Sequence, residues 1–149
     1  MALPDFREDG WLPEGHHPTT WDEIATRFGG EAGSRRAQLV LLLLQWRDAV
    51  QAKGMGGLLI LNGSFISRKE KPGDFDCLFI YNAAAAQLIE ENDEALDLLS
   101  YERCKAKGYG DIFTFSEAAV RAFPRFCHLD MFDTDKVTKQ SKGVVEVEI

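Results

Sequence analysis

The residues most able to do chemistry are Asp74 and Asp76, in the segment Pro72-Gly73-Asp74-Phe75-Asp76. On a strand, side chains alternate between faces, so the two aspartates would share one face and Phe75 and Cys77 the other. Strand interiors disfavour Asp. Two neighbouring carboxylates repel each other unless water or a cation lies between them. Upstream, Gly63-Ser64 ends an apolar run that starts at Leu58. Gly63 lets backbone approach a bulky anion, and Ser64 offers a hydroxyl and an N–H to a phosphate oxygen. Between the two segments lie Arg68, Lys69 and Lys71, opposed only by Glu70. For a lone patch of this kind solvated loop charge is the ordinary reading, and the adjacent aspartates raise the weight of a phosphate contact. Mg²⁺ suits such a group, because it takes few carboxylates and keeps water and phosphate oxygens as its other ligands. A pair of such ions stabilises the entering and leaving oxygens of an in-line displacement at phosphorus.

The elements that must position these residues are legible on either side. Leu58 to Tyr81 reads as two strands joined by a polar loop, the second opening at Asp74. Residues 1–19 form an irregular arm broken by Pro4, Gly10, Pro13, Gly15 and Pro18, with Phe6, Trp11 and Leu12 as its apolar anchors. His16 and His17 read as loop residues there, without a partner at metal-ligand spacing. Thr20-Trp21-Asp22-Glu23 is a capping box that opens a helix to Phe28, and Gly29-Gly30 ends it. Ser34 caps a second helix to about Lys53, with a buried stripe of Leu39, Leu42, Leu43, Trp46 and Val50, widened by Val40, Leu41 and Leu44. In an alanine-rich helical stretch from Asn82 to Leu99, the acidic run Glu90 to Glu94 either interrupts the helix or lies on a solvated face. Tyr101 to Lys107 is a further helical piece, and Gly110 to Phe115 a short strand. Ser116 caps Glu117 to Phe123, and Pro124 stops that helix. Arg125 to Phe132 reads as a strand with His128, Asp130 and Phe132 on one face. A polar turn region, Asp133 to Lys142, leads to a closing strand from Val144 to Ile149. Mixed helices and strands around an antiparallel hairpin make the fold class α+β, or mixed α/β: a small mixed sheet with a central hairpin packed by helices.

The 149 residues fit one domain, 1–149, with one core. No signal peptide is expected at residues 1–10, and the run Leu39 to Leu44 is too short to span a bilayer. Cys77, Cys104 and Cys127 form no CxxC pair, so neither a disulfide framework nor a zinc site is expected, and a reducing cytoplasm is the natural compartment. The formal net charge of −7 argues against a general nucleic-acid-binding surface.

The spacing of Gly63-Ser64, nine residues, then Asp74-Phe75-Asp76 resembles the nucleotidyltransferase signature of the polymerase-beta-like superfamily. A closer resemblance covers nearly the whole chain. Leu12-Pro13-Glu14-Gly15-His16, the Thr20 box, Arg27-Phe28-Gly29, Gly-Ser-Phe, Pro-Gly-Asp-Phe-Asp and the final Lys142 to Val147 resemble a small bacterial nucleotidyltransferase-like family of unknown function. The resemblance implies a nucleotidyltransferase-like fold, with Gly63 and Ser64 as the phosphate-binding pair and Asp74 and Asp76 as metal ligands. It does not fix the third carboxylate. Asp130, on the expected later strand, is the first choice, and Asp111 the runner-up. Where minimal members often carry Arg-Gly after Gly-Ser, this chain has Ser67-Arg68-Lys69, and Arg68 and Lys69 are the candidates for the triphosphate. His128 would share the face of Asp130, as a packed or surface residue or near a nucleotide.

Two functions are therefore expected. One is transfer of a nucleoside monophosphate from an NTP to a hydroxyl of an unknown acceptor (RNA, protein or small molecule), with Mg²⁺ or Mn²⁺ on Asp74, Asp76 and Asp130. The alternative is a catalytically silent module that binds a nucleotide or a partner protein, as in a toxin–antitoxin or defence system. A structural α+β domain with a solvated Asp pair is the third, plainer reading.

Overall fold

The structure, a computed structural model, describes residues 2–123 and 142–149. Among these residues five strands form one mixed sheet: β1 (Gly15–Pro18), β2 (Gly57–Asn62), β3 (Asp76–Tyr81), β4 (Asp111–Ser116) and β5 (Gly143–Glu148). Their order across the sheet is β1-β5-β2-β3-β4. The expected hairpin is its centre: β2 and β3 pair antiparallel from Gly57 opposite Tyr81 to Asn62 opposite Asp76. β4 lies parallel to β3, with Asp111 opposite Asp76. β5 runs antiparallel to β2 and parallel to β1. The class is α+β, as the sequence leads one to expect.

Among the described residues six α-helices pack around the sheet: α1 (Trp21–Phe28), α2 (Arg35–Ala52), α3 (Ala83–Glu91), α4 (Asp93–Leu99), α5 (Tyr101–Ala106) and α6 (Glu117–Ala122). Parallel pairing of β3 with β4 demands a crossover, and α3, α4 and α5 supply it. Small polar side chains set the boundaries. Ser34 accepts from the Ala37 N–H at 3.1 Å, and Ser116 from the Ala119 N–H at 3.0 Å. Asn92 accepts from the Ala95 N–H at 3.1 Å, so of the two readings of the acidic run the break between α3 and α4 is the one found. Thr20 caps α1 through the Glu23 N–H at 3.2 Å. The return half of that box goes elsewhere. The Glu23 carboxylate accepts from the Thr19 hydroxyl at 2.5 Å and the Leu3 N–H at 2.7 Å, which ties the arm to α1.

The larger core lies on one face of the sheet. Leu59, Leu61, Cys77, Phe79, Ile112, Val145 and Val147 meet Leu39, Leu43, Trp46 and Val50 of α2. Trp46 is fully buried, edge-on to Phe79 at 5.2 Å, and its indole N–H donates to the Leu98 carbonyl at 2.9 Å. Leu41, counted in the sequence as part of the α2 stripe, is instead 57% exposed, because its position turns away from the face that Leu39 and Leu43 bury. The opposite face carries a smaller cluster of Ile60, Leu78, Ile80 and Val144, joined by Phe115 and by Val120 of α6.

Two further expectations change. The arm is not irregular throughout, because Gly15–Pro18 pairs with β5, and Gly143 donates to the Leu12 carbonyl at 3.1 Å. His16 and His17 are thus strand residues. His16 Nδ1 lies 2.6 Å from Glu146 Oε1, and His17 Nε2 lies 2.7 Å from the Pro13 carbonyl. The strand expected at 125–132, with His128 and Asp130, and nearly all of the expected turn region lie outside the described residues. Among the described residues, no helix is long and apolar enough to cross a membrane.

Candidate metal and phosphate site

The site grows from the end of the β2–β3 hairpin, where Asn62 stands opposite Asp76. The next residue, Gly63, has φ of +87°, a conformation that L side chains rarely adopt. A Cβ there would stand 2.9 Å from Asp76 Oδ2. Backbone and side-chain demands coincide: the chain must turn at Gly63, and it must turn directly against a carboxylate. Ser64–Ile66 then forms a 3-10 turn, closed by the Ser67 hydroxyl donating to the Ser64 carbonyl at 2.7 Å. Phe65 and Ile66 are fully buried and pin the turn from below, with Phe65 packed between Phe28 and Phe75 at 5.8 and 6.1 Å.

The turn is also held from the side by Arg36 of α2. Its guanidinium donates to the carbonyls of Phe65 at 2.5 Å, Ser67 at 2.6 Å, Lys69 at 2.5 Å and Phe28 at 3.2 Å. A planar fork of five N–H donors can reach several carbonyls at once, which a lysine cannot do. Burial pushes the Arg36 pKa below its usual value. The neighbouring Arg35 guanidinium donates to the Gly73 carbonyl, at the other end of the loop. Sequence reading missed both roles. The only signal is two arginines in the first turn of a helix, where anions rather than cations favour the dipole.

Three carboxylates meet at this corner. β3 begins at Asp76, so Asp74 lies just before the strand rather than opening it, but the alternation continues: Asp74 is exposed and Phe75 is buried. Asp111, the first residue of β4, is set opposite Asp76 by the parallel register. One oxygen from each of Asp74, Asp76 and Asp111 lies within 4.8 Å of the others, so the three could hold a metal ion. Ligands on one Mg²⁺ stand about 3 Å apart when adjacent and about 4 Å when opposed, so the three carboxylates must draw together by roughly 1–2 Å to share one ion. Asp111, the runner-up from sequence, is thereby brought to the expected pair, while Asp130 lies outside the described residues.

Asp111 is oriented by its neighbours. The Tyr101 hydroxyl donates to Asp111 Oδ1 at 2.9 Å, and the Lys105 ammonium stands 3.1 Å from the same oxygen. The hydrogen bonds to Asp111 and Tyr101 hold the Lys105 pKa above its ordinary value. Cys77, beneath Asp76, has its thiol pKa pushed up by burial and then by the Asp76 charge, so it remains a protonated core residue.

The cationic loop is arranged by the arm. The Arg68 guanidinium donates to the Arg7 carbonyl at 2.6 Å and lies 5.9 Å from the Phe6 ring, while the Gly10 carbonyl accepts from the Arg68 N–H at 2.9 Å. Arg68 and Lys69 line an open cleft of about 480 Å³ with Ser64, Ser67 and Glu8 to Trp11 of the arm. Both residues expected at a phosphate thus share one cleft with Ser64.

A family model matches residues 4–148, and the chain belongs to that family, described as a family of unknown function (DUF6932). No curated protein and no solved structure matches the chain.

Proposed function

We propose that this member of the DUF6932 family is a metal-dependent nucleotidyltransferase-like protein that transfers a nucleoside monophosphate from an NTP to an acceptor hydroxyl. The observation that carries this reading is the gathering of Asp74, Asp76 and Asp111 against the Gly63-Ser64 turn. An all-carboxylate donor set is hard, and matches Mg²⁺ or Mn²⁺ rather than a thiophilic metal. Asp74, Asp76 and Asp111 would hold the ion, and when bound it supplies charge stabilisation at the phosphoryl oxygens.

The chain's own residues have separable tasks in this reading. Ser64 and Lys69, which line one cleft, bind the β- and γ-phosphates and offset their charge. Arg36 and the buried Phe65 keep the turn rigid, so that these donors need no reordering when the nucleotide arrives. In the reaction the acceptor oxygen bonds to the α-phosphorus, the bond to the pyrophosphate oxygen breaks, and the hydroxyl proton passes to a carboxylate. Asp111 is the candidate for that carboxylate among the described residues, and Asp130, the first choice from its place on an expected later strand, lies outside them.

The test is label transfer from each α-labelled NTP, with Mg²⁺ or Mn²⁺, to RNA, protein and small hydroxylated acceptors. Asp76→Asn is expected to abolish transfer with an unchanged thermal melt. Full transfer in that variant would overturn the metal assignment. A specific observation favours the second reading, a silent binding module: the Lys105 ammonium already neutralises Asp111. Stable nucleotide binding without turnover, in wild type and in Lys105→Ala alike, would favour the module.

A further inference from the structure

We infer that the stacked rings of Tyr101 and Phe113 form a platform for the nucleobase of a nucleotide held at the acidic corner, gripping it without base preference. The inference rests on the reading of Asp74, Asp76 and Asp111 as a metal and phosphate site. Its own evidence is separate. Phe113 is 42% exposed, on a strand whose neighbour Ile112 is fully buried. Its ring lies 4.8 Å from that of Tyr101, with 20° between the planes. Phe113 follows Asp111 by two residues on β4, so both share a face, about 7 Å apart along the strand. A sugar linking a phosphate at Asp111 to a base at Phe113 bridges such a gap.

Tyr101 joins the two parts. Its ring stacks on Phe113 and its hydroxyl donates to Asp111, so a base settling on the rings acts on the residue that orients the third carboxylate. The Lys105 ammonium lies 5.5 Å from the Tyr101 ring, which adds a cation beside the aromatic surface. Farther along the same face, Phe115 and Val120 pack on the smaller core cluster and bound the platform. Every base has a π-face, so stacking of this kind adds affinity with little discrimination between bases.

The experiment is calorimetric titration, in Mg²⁺, of the whole protein with ATP, GTP, CTP and UTP beside inorganic tripolyphosphate. The four nucleotides are expected to bind within a few-fold of one another and roughly tenfold more tightly than tripolyphosphate. Phe113→Leu, with its melt checked against wild type, is expected to bring them to the tripolyphosphate level while leaving tripolyphosphate itself unchanged. Phe113→Tyr is expected to keep the increment. Nucleotides that bind no better than tripolyphosphate, or an increment that survives Phe113→Leu, overturn the platform while leaving the metal site standing. Loss of all metal-dependent binding, tripolyphosphate included, overturns both.

Discussion

At the scale of single residues, the site depends on one atom that is missing. Gly63 has no Cβ where a Cβ would press on Asp76 Oδ2, and its φ of +87° is one that alanine resists. Gly63→Ala is therefore expected to destabilise the fold by about 1–3 kcal/mol and to displace the Asp76 carboxylate. Urea melts would read the first effect and Mn²⁺ titration the second. An alanine variant with unchanged stability and metal affinity would contradict the close approach. The Gly-Ser and Asp-Phe-Asp pieces were legible in the sequence because their spacing and chemistry are local. The third carboxylate was not, because strand register decides it: Asp111 reaches Asp76 only through the parallel pairing of β4 with β3. The same limit hid Tyr101 and Lys105, whose partner Asp111 lies across the turn from α5 to β4.

Among the elements, caps and hydrophobic periods announced themselves, and long-range pairings did not. Thr20, Ser34 and Ser116 mark helix starts that sequence alone could place, since each bonds an N–H three residues on. β1 is not legible as a strand in the sequence, because four residues between prolines and glycines carry no strand signal and the pairing with β5 is supplied from the far end of the chain. The Arg36 clamp is of the same kind: its three partners on the loop lie 29 to 33 residues away. Arg36→Ala removes several charge-assisted bonds and leaves loop carbonyls unpaired. It is expected to cost about 2–4 kcal/mol and to loosen nucleotide binding more than Arg35→Ala does. Arg36→Lys is expected to restore only part of either effect, because an ammonium cannot span the four carbonyls. Denaturant midpoints and nucleotide affinities of the three variants would measure this. Equal behaviour of Arg36→Lys and wild type would refute the clamp.

Over the molecule as a whole, the sheet divides its labour between two faces. One is packed against α2 and supplies the larger core, and the other carries Leu78, Ile80, Phe115 and Phe113, with the acidic corner at one end. The arm is fastened to α1 through Glu23 and to the cationic loop through Arg68, and acid should loosen the Glu23 tie. The hydrogen bond from Thr19 lowers the Glu23 pKa, with the Leu3 N–H adding to it. A depressed carboxylate pKa contributes stability above its unfolded value, and that contribution is lost as pH falls through the folded value. The melting-temperature advantage of wild type over Glu23→Gln is thus expected in full at neutral pH, expected to fade as pH drops below the ordinary glutamate value of 4.5, and expected to be gone once pH is below the lowered folded value. An advantage that persists at pH 2 would contradict the assignment. The central claim is that the carboxylates at the Gly63-Ser64 turn hold a cation that in turn holds a nucleotide. Calorimetric titration of wild type and of Asp74→Asn/Asp76→Asn with ATP, in Mg²⁺ and in EDTA, tests it most directly. Binding that needs Mg²⁺ and is absent from the double variant is the result expected, and equal binding in EDTA or in the variant would contradict it.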